Sequence, residues 1–146
     1  MILMFLSFVA GIALATQVSL NAHLGQLLAN SLLATFVALI SSAFFTIMAV
    51  LFYMREFPSY ETVKAVPSYL WFTGGILSAF ALATFYYLIP KIGILPLITF
   101  SLGGQLLFSV IAGHFGWFDL PVTSLTLNKI IGVAAMLLAI YLINKG

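Results

Sequence analysis

The sequence predicts an all-α integral membrane protein with five transmembrane helices. Of its 146 residues, 64% are hydrophobic and only 5% are charged, whereas about a quarter of the residues in a soluble domain are charged. A chain of this composition cannot cover itself with a hydrated surface. Its apolar runs reach the roughly 20 residues needed to cross a bilayer. They do not alternate apolar and polar residues as the strands of a membrane barrel do, so we expect helices.

Five apolar runs occupy nearly the whole chain, which we interpret as a single transmembrane domain. The predicted spans are residues 2–24, 31–54, 68–89, 95–115 and 127–143. The first run is too long for the apolar core of a secretory signal, and no Lys or Arg precedes it. We therefore expect it to be a span as well.

The breaks between the runs carry charged and helix-breaking residues. Residues 55–69 hold half of the charged side chains, namely Arg55, Glu56, Glu61 and Lys64, and are predicted to be an aqueous loop. Pro90 is predicted to end the third span, and Pro96 lies in the first turn of the fourth, where its missing N–H costs little. Ser124 is a predicted N-cap of the fifth span.

Aromatic residues near the ends of the runs suit the two membrane interfaces, where amphipathic rings lie at the level of the headgroups. We expect one interface at Tyr69, Trp71 and Trp117, and the other at Tyr86, Tyr87 and Tyr141. This placement agrees with the predicted spans.

Lys and Arg are nearly balanced between the two faces of the membrane. With five spans, one face carries Arg55, Lys64 and Lys129, and the other carries Lys91 and Lys145. Because the Lys and Arg bias sets orientation, so small a difference predicts insertion both ways up, although a single orientation is the alternative. Two oppositely inserted copies would form an inverted-topology pair, as in many secondary transporters.

Uncharged polar side chains interrupt three of the spans. Gln17 and Asn21 are four residues apart and project together from a helix. Because lipid offers no hydrogen-bond partner, we expect the polar groups to converge inside the bundle. The predicted substrate-binding residues are Gln17, Asn21, Ser42, Ser101, Gln105 and Ser109. Hydrogen bonding between helices is the alternative role for these residues.

Glycine and other small residues predict where helices bend or pack. Gly103 and Gly104 directly precede Gln105, and paired glycines are a common place for a helix to bend. We therefore predict a hinge at this pair. Ser7, Gly11 and Ala15 recur at a spacing of four and predict a packing face on the first span.

The chemistry of the chain excludes several classes of function. It has no cysteine, and it has no His-Glu-x-x-His, Gly-x-Ser-x-Gly or Walker motif, so we expect no enzyme, no metal site and no cofactor. No basic run suits nucleic acid. All three acidic residues lie outside the predicted spans. Amides bind without titrating, which favours a small polar or neutral organic solute, or an anion bound by hydrogen-bond donors.

Several stretches together resemble the YdcZ-like bacterial membrane proteins of the drug/metabolite transporter superfamily. They are GIALATQVSLNAHLG, YLWFTGG, YYLIPKIG, SLGGQLLFSVIAGHFG and LTLNKIIGVAAMLLA. The resemblance implies a five-helix half-unit of the drug/metabolite-transporter type. Such a unit pairs with an antiparallel second copy of itself or with a paralogous half, in the bacterial inner (plasma) membrane.

The same resemblance has two departures. Residues 87–144 are also similar in layout to small multidrug resistance exporters, which carry a membrane glutamate where this chain has Thr16 and Gln17. Gly113 stands where the YdcZ-like pattern commonly has an acidic residue before His-Phe-Gly. Both departures disfavour drug/proton exchange through a membrane carboxylate.

Three hypotheses of function follow. The first is one half of a small secondary transporter that acts as an antiparallel homodimer. The second is a passive dual-topology channel with a polar, uncharged pore, and the third is a membrane subunit that does not transport. A glycine hinge beside Gln105 favours the first over the second.

Overall fold

A computed structural model describes residues 1–119 and 121–145, and within them the chain is helical with no strand. In chain order the helices are α1 (Ile2–Leu27), α2 (Ser31–Tyr53), α3 (Tyr60–Ala65), α4 (Leu70–Ile92), α5 (Ile94–Phe115), a 3₁₀ turn (Trp117–Asp119) and α6 (Leu127–Lys145). Helices α1, α2, α4, α5 and α6 are long and apolar enough to cross a membrane. The predicted fold class is confirmed, because each span begins and ends within about three residues of the expected position.

The helices divide into two compact units. The first runs from Met1 to Lys91, and the second begins at Ile92. A single transmembrane domain stays a prediction.

In the first unit, α1 packs against α2 through small residues. A tight turn joins them: Ala29 adopts a φ of 50°, and the Asn30 side chain accepts hydrogen bonds from the Leu32 and Leu33 amides at 2.9 and 3.1 Å. This cap satisfies amides at the start of α2. The buried residues are Val18, Ala22 and Gly25 on α1, and Ala34, Thr35 and Ala38 on α2.

The predicted packing face on α1 does not make the contact with α2. Ser7 and Gly11 are exposed, and a Cβ added to Gly11 would meet no atom within 4 Å. At Gly25, by contrast, it would lie 3.4 Å from the Ala34 Cβ. The turn fixes the contact at the C-terminal half of α1, where small side chains permit close approach.

Three local predictions also need correction. Pro90 does not end a span, because α4 continues through it to Ile92; near a helix end a proline removes one hydrogen bond without breaking the helix. The predicted loop 55–69 contains α3, which Ser59 caps. At the start of α6 the Thr126 hydroxyl, and not that of Ser124, accepts a bond from the Lys129 amide at 3.4 Å.

In the second unit, α5 packs against α6. The Asn144 Nδ2 atom donates to the Thr99 Oγ1 atom at 2.9 Å, a polar contact between helices of the kind found in membrane bundles. Beyond α5, the Thr123 amide donates to the Gly113 carbonyl at 2.8 Å. A Cβ at Gly113 would lie only 2.8 Å from the Thr123 hydroxyl, so a larger residue there would displace that side chain.

Candidate functional site

The polar centre of the first unit is an amide pair on α1. The Asn21 Nδ2 atom donates to the Gln17 Oε1 atom at 2.9 Å and to the Gln17 backbone carbonyl at 2.9 Å. Both side chains are half-buried. Because Nδ2 carries two hydrogens, this geometry uses both of them. The Gln17 Nε2 donor and the Asn21 Oδ1 acceptor are left for other partners.

Tyr86 on α4 is the third polar group at this position. Its side chain is 1% exposed and is one of the two largest fully buried side chains among the described residues. The side chains of Asn21 and Gln17 lie near this hydroxyl, which has almost no accessible surface and forms no hydrogen bond of good geometry with a described residue. A buried polar group left without a partner costs about 1–3 kcal/mol.

Tyr86 was expected at the membrane interface, and this expectation is wrong. Successive residues of a helix point about 100° apart, so Tyr86 and Tyr87 cannot both face the headgroups. Tyr87 is the exposed member of the pair, with the Lys91 Nζ atom 3.6 Å from its ring centroid. The angle shows from the sequence that only one of the two tyrosines can face the headgroups, and the structure shows that it is Tyr87.

A small cavity opens beside Tyr86, between the α1–α2 turn and the end of α4. Its volume is about 160 Å³, and it is lined by Gly25, Gln26, Ala29, Asn30, Ser31, Tyr86, Tyr87 and Pro90. Pro90 has no N–H to donate to the Tyr86 carbonyl, so the helix does not satisfy that acceptor in the usual way. The cavity is therefore lined by polar side chains and lies beside a helical turn that lacks one hydrogen bond. We name it the end cavity.

The polar residues of α5 lie in the second unit, and two of them, Gln105 and Ser109, are more exposed than Gln17 and Asn21. The Ser109 hydroxyl donates to the Gln105 carbonyl at 2.6 Å, and the Ser101 hydroxyl donates to the Ile98 carbonyl at 3.0 Å. The Gln105 side chain is exposed. The α1 amide pair and Gln105 belong to different units, so their convergence stays a prediction.

Ser42 lies apart from the amide pair within the first unit. It occupies an exposed face of α2 together with Thr46. Among the described residues neither side chain hydrogen-bonds to Gln17 or Asn21. The structure thus joins the side chains of two of the six predicted binding residues, Gln17 and Asn21, and places Tyr86 near them.

The two glycines of the predicted hinge have different surroundings. Helix α5 continues unbroken through both. A Cβ at Gly103 would lie 2.9 Å from the Ile140 Cδ1 atom of α6, whereas one at Gly104 would meet nothing within 4 Å. Both line a groove of about 520 Å³ between α5 and α6. Gly103 is therefore a packing glycine, and a hinge at this pair stays a prediction.

Charge is confined to the ends of the spans and to the connections between them. Glu61 lies in α3 and Asp119 in the 3₁₀ turn, and Glu56 follows α2. No group of three His, Cys, Asp or Glu able to hold a metal ion occurs within residues 1–119 and 121–145. The uncharged polar groups of the spans are mainly amides, hydroxyls and phenols, while His23 and His114 lie near the C-terminal ends of α1 and α5.

Water access to the predicted binding residues can be measured by cysteine labelling, because the chain has no native cysteine. We expect Gln17→Cys and Gln105→Cys to react with a membrane-impermeant maleimide, and Ala22→Cys, at a 1% exposed position, to stay unmodified. Protection of both test positions to the same degree as Ala22→Cys would identify the amides as contacts between helices.

Comparison with known proteins identifies a family. The model of the family described as "Putative inner membrane exporter, YdcZ" matches residues 2–142, which include α1 to α5 and most of α6. No curated protein and no solved structure matches the chain.

Proposed function

The chain belongs to the YdcZ family of inner membrane exporters, and from that premise we propose that it is one half of a small secondary transporter for uncharged polar solutes. It is a multi-pass membrane protein of a transporter family, not of an enzyme family. In the proposal, two copies in opposite orientations form the working unit in a bacterial inner membrane. A paralogous half is the alternative partner.

The amide pair on α1 carries the proposal. Gln17 Nε2 offers a donor and Asn21 Oδ1 an acceptor once their mutual bond is made, and both side chains are half-buried in a helix that contains no charged residue. An isolated ion would be costly to desolvate at such a position. A neutral solute with its own donor and acceptor, such as a small amide or polyol, matches these groups.

The odd number of spans supports the antiparallel dimer. Five crossings put the two ends of a chain on opposite sides of the bilayer, so a second copy must be inverted to give the symmetry of many secondary transporters. The balance of Lys and Arg described above permits both orientations. The groove beside Gly103 and Gly104 is where α5 would flex during transport.

Flux of three small probes through proteoliposomes tests the solute class. Acetamide, acetate and ethylammonium are close in size and differ in charge. We expect saturable acetamide flux above that of empty liposomes, with acetate and ethylammonium at background. Carriage of either ion in preference to acetamide would overturn the proposed class, and flux that never saturates would favour a channel.

Gln17→Leu tests whether the amide pair binds the solute. Loss of a hydrogen bond worth about 0.5–1.5 kcal/mol should raise the half-saturating acetamide concentration about two- to tenfold. Thr16→Leu is the matched control, because the neighbouring Thr16 is exposed and its hydroxyl bonds the Ile12 carbonyl at 2.9 Å. Equal effects of the two variants would remove the amide pair from the binding site.

A further inference from the structure

Gln105 is an amide that the chain leaves exposed in the middle of a membrane span. Helix α5 has 22 residues, Ile94–Phe115, and Gln105 is the twelfth of them. Elsewhere in the spans, Gln17 and Asn21 bond each other, and Asn144 bonds Thr99. The Gln105 side chain is exposed, and it forms no hydrogen bond with any described residue. Lipid offers it no partner at this depth, so the amide needs one from another molecule.

The residues one turn to either side of Gln105 need no such partner. Ser101 and Ser109 lie four residues before and after it and therefore share its face of the helix. Their hydroxyls donate to carbonyls of α5 itself, Ser101 to Ile98 at 3.0 Å and Ser109 to Gln105 at 2.6 Å. Small side chains let a second helix approach closely. The α5 face, which we define by Ser101, Gln105 and Ser109, thus permits a close contact with one unsatisfied amide at its centre.

A second copy in the opposite orientation can supply the partner for this amide. Two antiparallel copies are related by a twofold axis in the plane of the membrane, which carries a residue above the midplane to the same distance below it. Only a residue at the midplane can therefore meet its own counterpart, and Gln105 is central in α5. Because a glutamine amide has both donors and an acceptor, two of them can bond each other twice, each Nε2 donating to the Oε1 of the other.

We infer that two antiparallel copies meet through the α5 face, with Gln105 of one copy bonded to Gln105 of the other on the twofold axis. The inference rests on the proposed function and adds to it the contact surface and its register. In that register Ser101 of one copy lies beside Ser109 of the other, each about 6 Å from the midplane. Substrate sites of secondary transporters lie at the interface between the repeats near the midplane, so the Gln105 pair borders the solute pathway.

Disulfide cross-linking of the full chain in membranes tests this register, because the chain has no native cysteine and a disulfide needs two Cα atoms within about 7 Å. After oxidation with copper phenanthroline, Gln105→Cys should cross-link with itself. Ser101→Cys and Ser109→Cys, on two differently tagged copies, should cross-link with each other, and each expressed alone should stay monomeric. This mixed pair keeps Gln105, so it reports on the contact even if loss of the amide weakens the dimer.

Leu107→Cys is the matched control. Leu107 is 41% exposed and lies at nearly the depth of Gln105, but two residues further along a helix a side chain points to the opposite side, so this variant should give no dimer. Adding Gln105→Leu to both copies of the mixed pair should lower the yield of their disulfide about three- to tenfold, because two hydrogen bonds between membrane helices are lost.

Three other results would each overturn the inference. Self-cross-linking of Ser101→Cys and of Ser109→Cys without the mixed product would show parallel copies, and the antiparallel dimer of the proposed function would fail with the inference. If no position of the α5 face cross-links while acetamide flux saturates, the copies meet elsewhere and the proposed function stands. An unchanged disulfide yield with Gln105→Leu would mean that the copies meet at this face without the amide pair, and the proposed function would again stand.

Discussion

Replacing Gly103 with leucine should disrupt the contact between α5 and α6, whereas the same change at Gly104 should not. The Ile140 Cδ1 atom lies 2.9 Å from where a Cβ would stand on Gly103, and Gly104 has open space there. Overpacking of a close contact costs about 1–3 kcal/mol. At the exposed Gly104, replacing glycine within a helix removes a penalty of about 1 kcal/mol. Thermal unfolding of the two purified variants measures the difference.

The two glycine variants also test the hinge. If α5 flexes at this pair, Gly104→Leu should keep its unfolding temperature and still lose most acetamide flux, because bulk would stiffen the helix without disturbing the fold. Gly103→Leu should regain stability when Ile140→Ala is added, since the second change makes room. Normal flux in Gly104→Leu would make α5 a fixed wall and would favour the channel hypothesis.

Forcing every copy into one orientation should abolish transport by an antiparallel homodimer. Two lysines inserted after Lys145 would bias the C-terminal face toward the cytoplasm. Glu56→Lys combined with Glu61→Lys would bias the opposite face, and both positions are exposed. We expect each fixed form alone to give background flux, because neither can supply the inverted partner.

Co-expression of the two oppositely biased forms is the decisive control. Each form then finds its inverted partner, and acetamide flux should return to a large fraction of the parental level. A reporter fused to the C-terminus verifies the orientation of each form. Full activity of either form alone would exclude the antiparallel homodimer and leave a parallel assembly or a single chain as the working unit.

The spans could be predicted from sequence because hydropathy and length are local properties of the chain. The end of α4 could not, since a proline near a helix end is tolerated: Pro90 lies inside the helix, and Gly93, with a φ of 84°, follows at its end. Whether a helix continues through a proline depends on whether it can do without the one backbone hydrogen bond that the proline removes. Sequence pattern does not contain that information.

The candidate site was only partly predictable. The spacing of Gln17 and Asn21 predicts their contact, because residues four apart meet on any α-helix. Tyr86 joins them through the packing of α4, which no local pattern encodes. The same limit applies to Gly103, because which of two adjacent glycines faces α6 depends on how the helix is rotated about its axis.

The bond between Gln17 and Asn21 also bears on how the chain enters the bilayer. A short turn joins α1 to α2, so the two helices can insert as a hairpin before α4 has been synthesised. During that step the amides would face hydrocarbon unpaired, at a cost of several kcal/mol for each polar group. Because Asn21 donates two hydrogen bonds to Gln17 in the same helix, part of the hydrogen-bonding capacity of the two amides is satisfied before any other helix is present. The pair on which the proposed transport site rests would therefore also ease insertion into the bilayer.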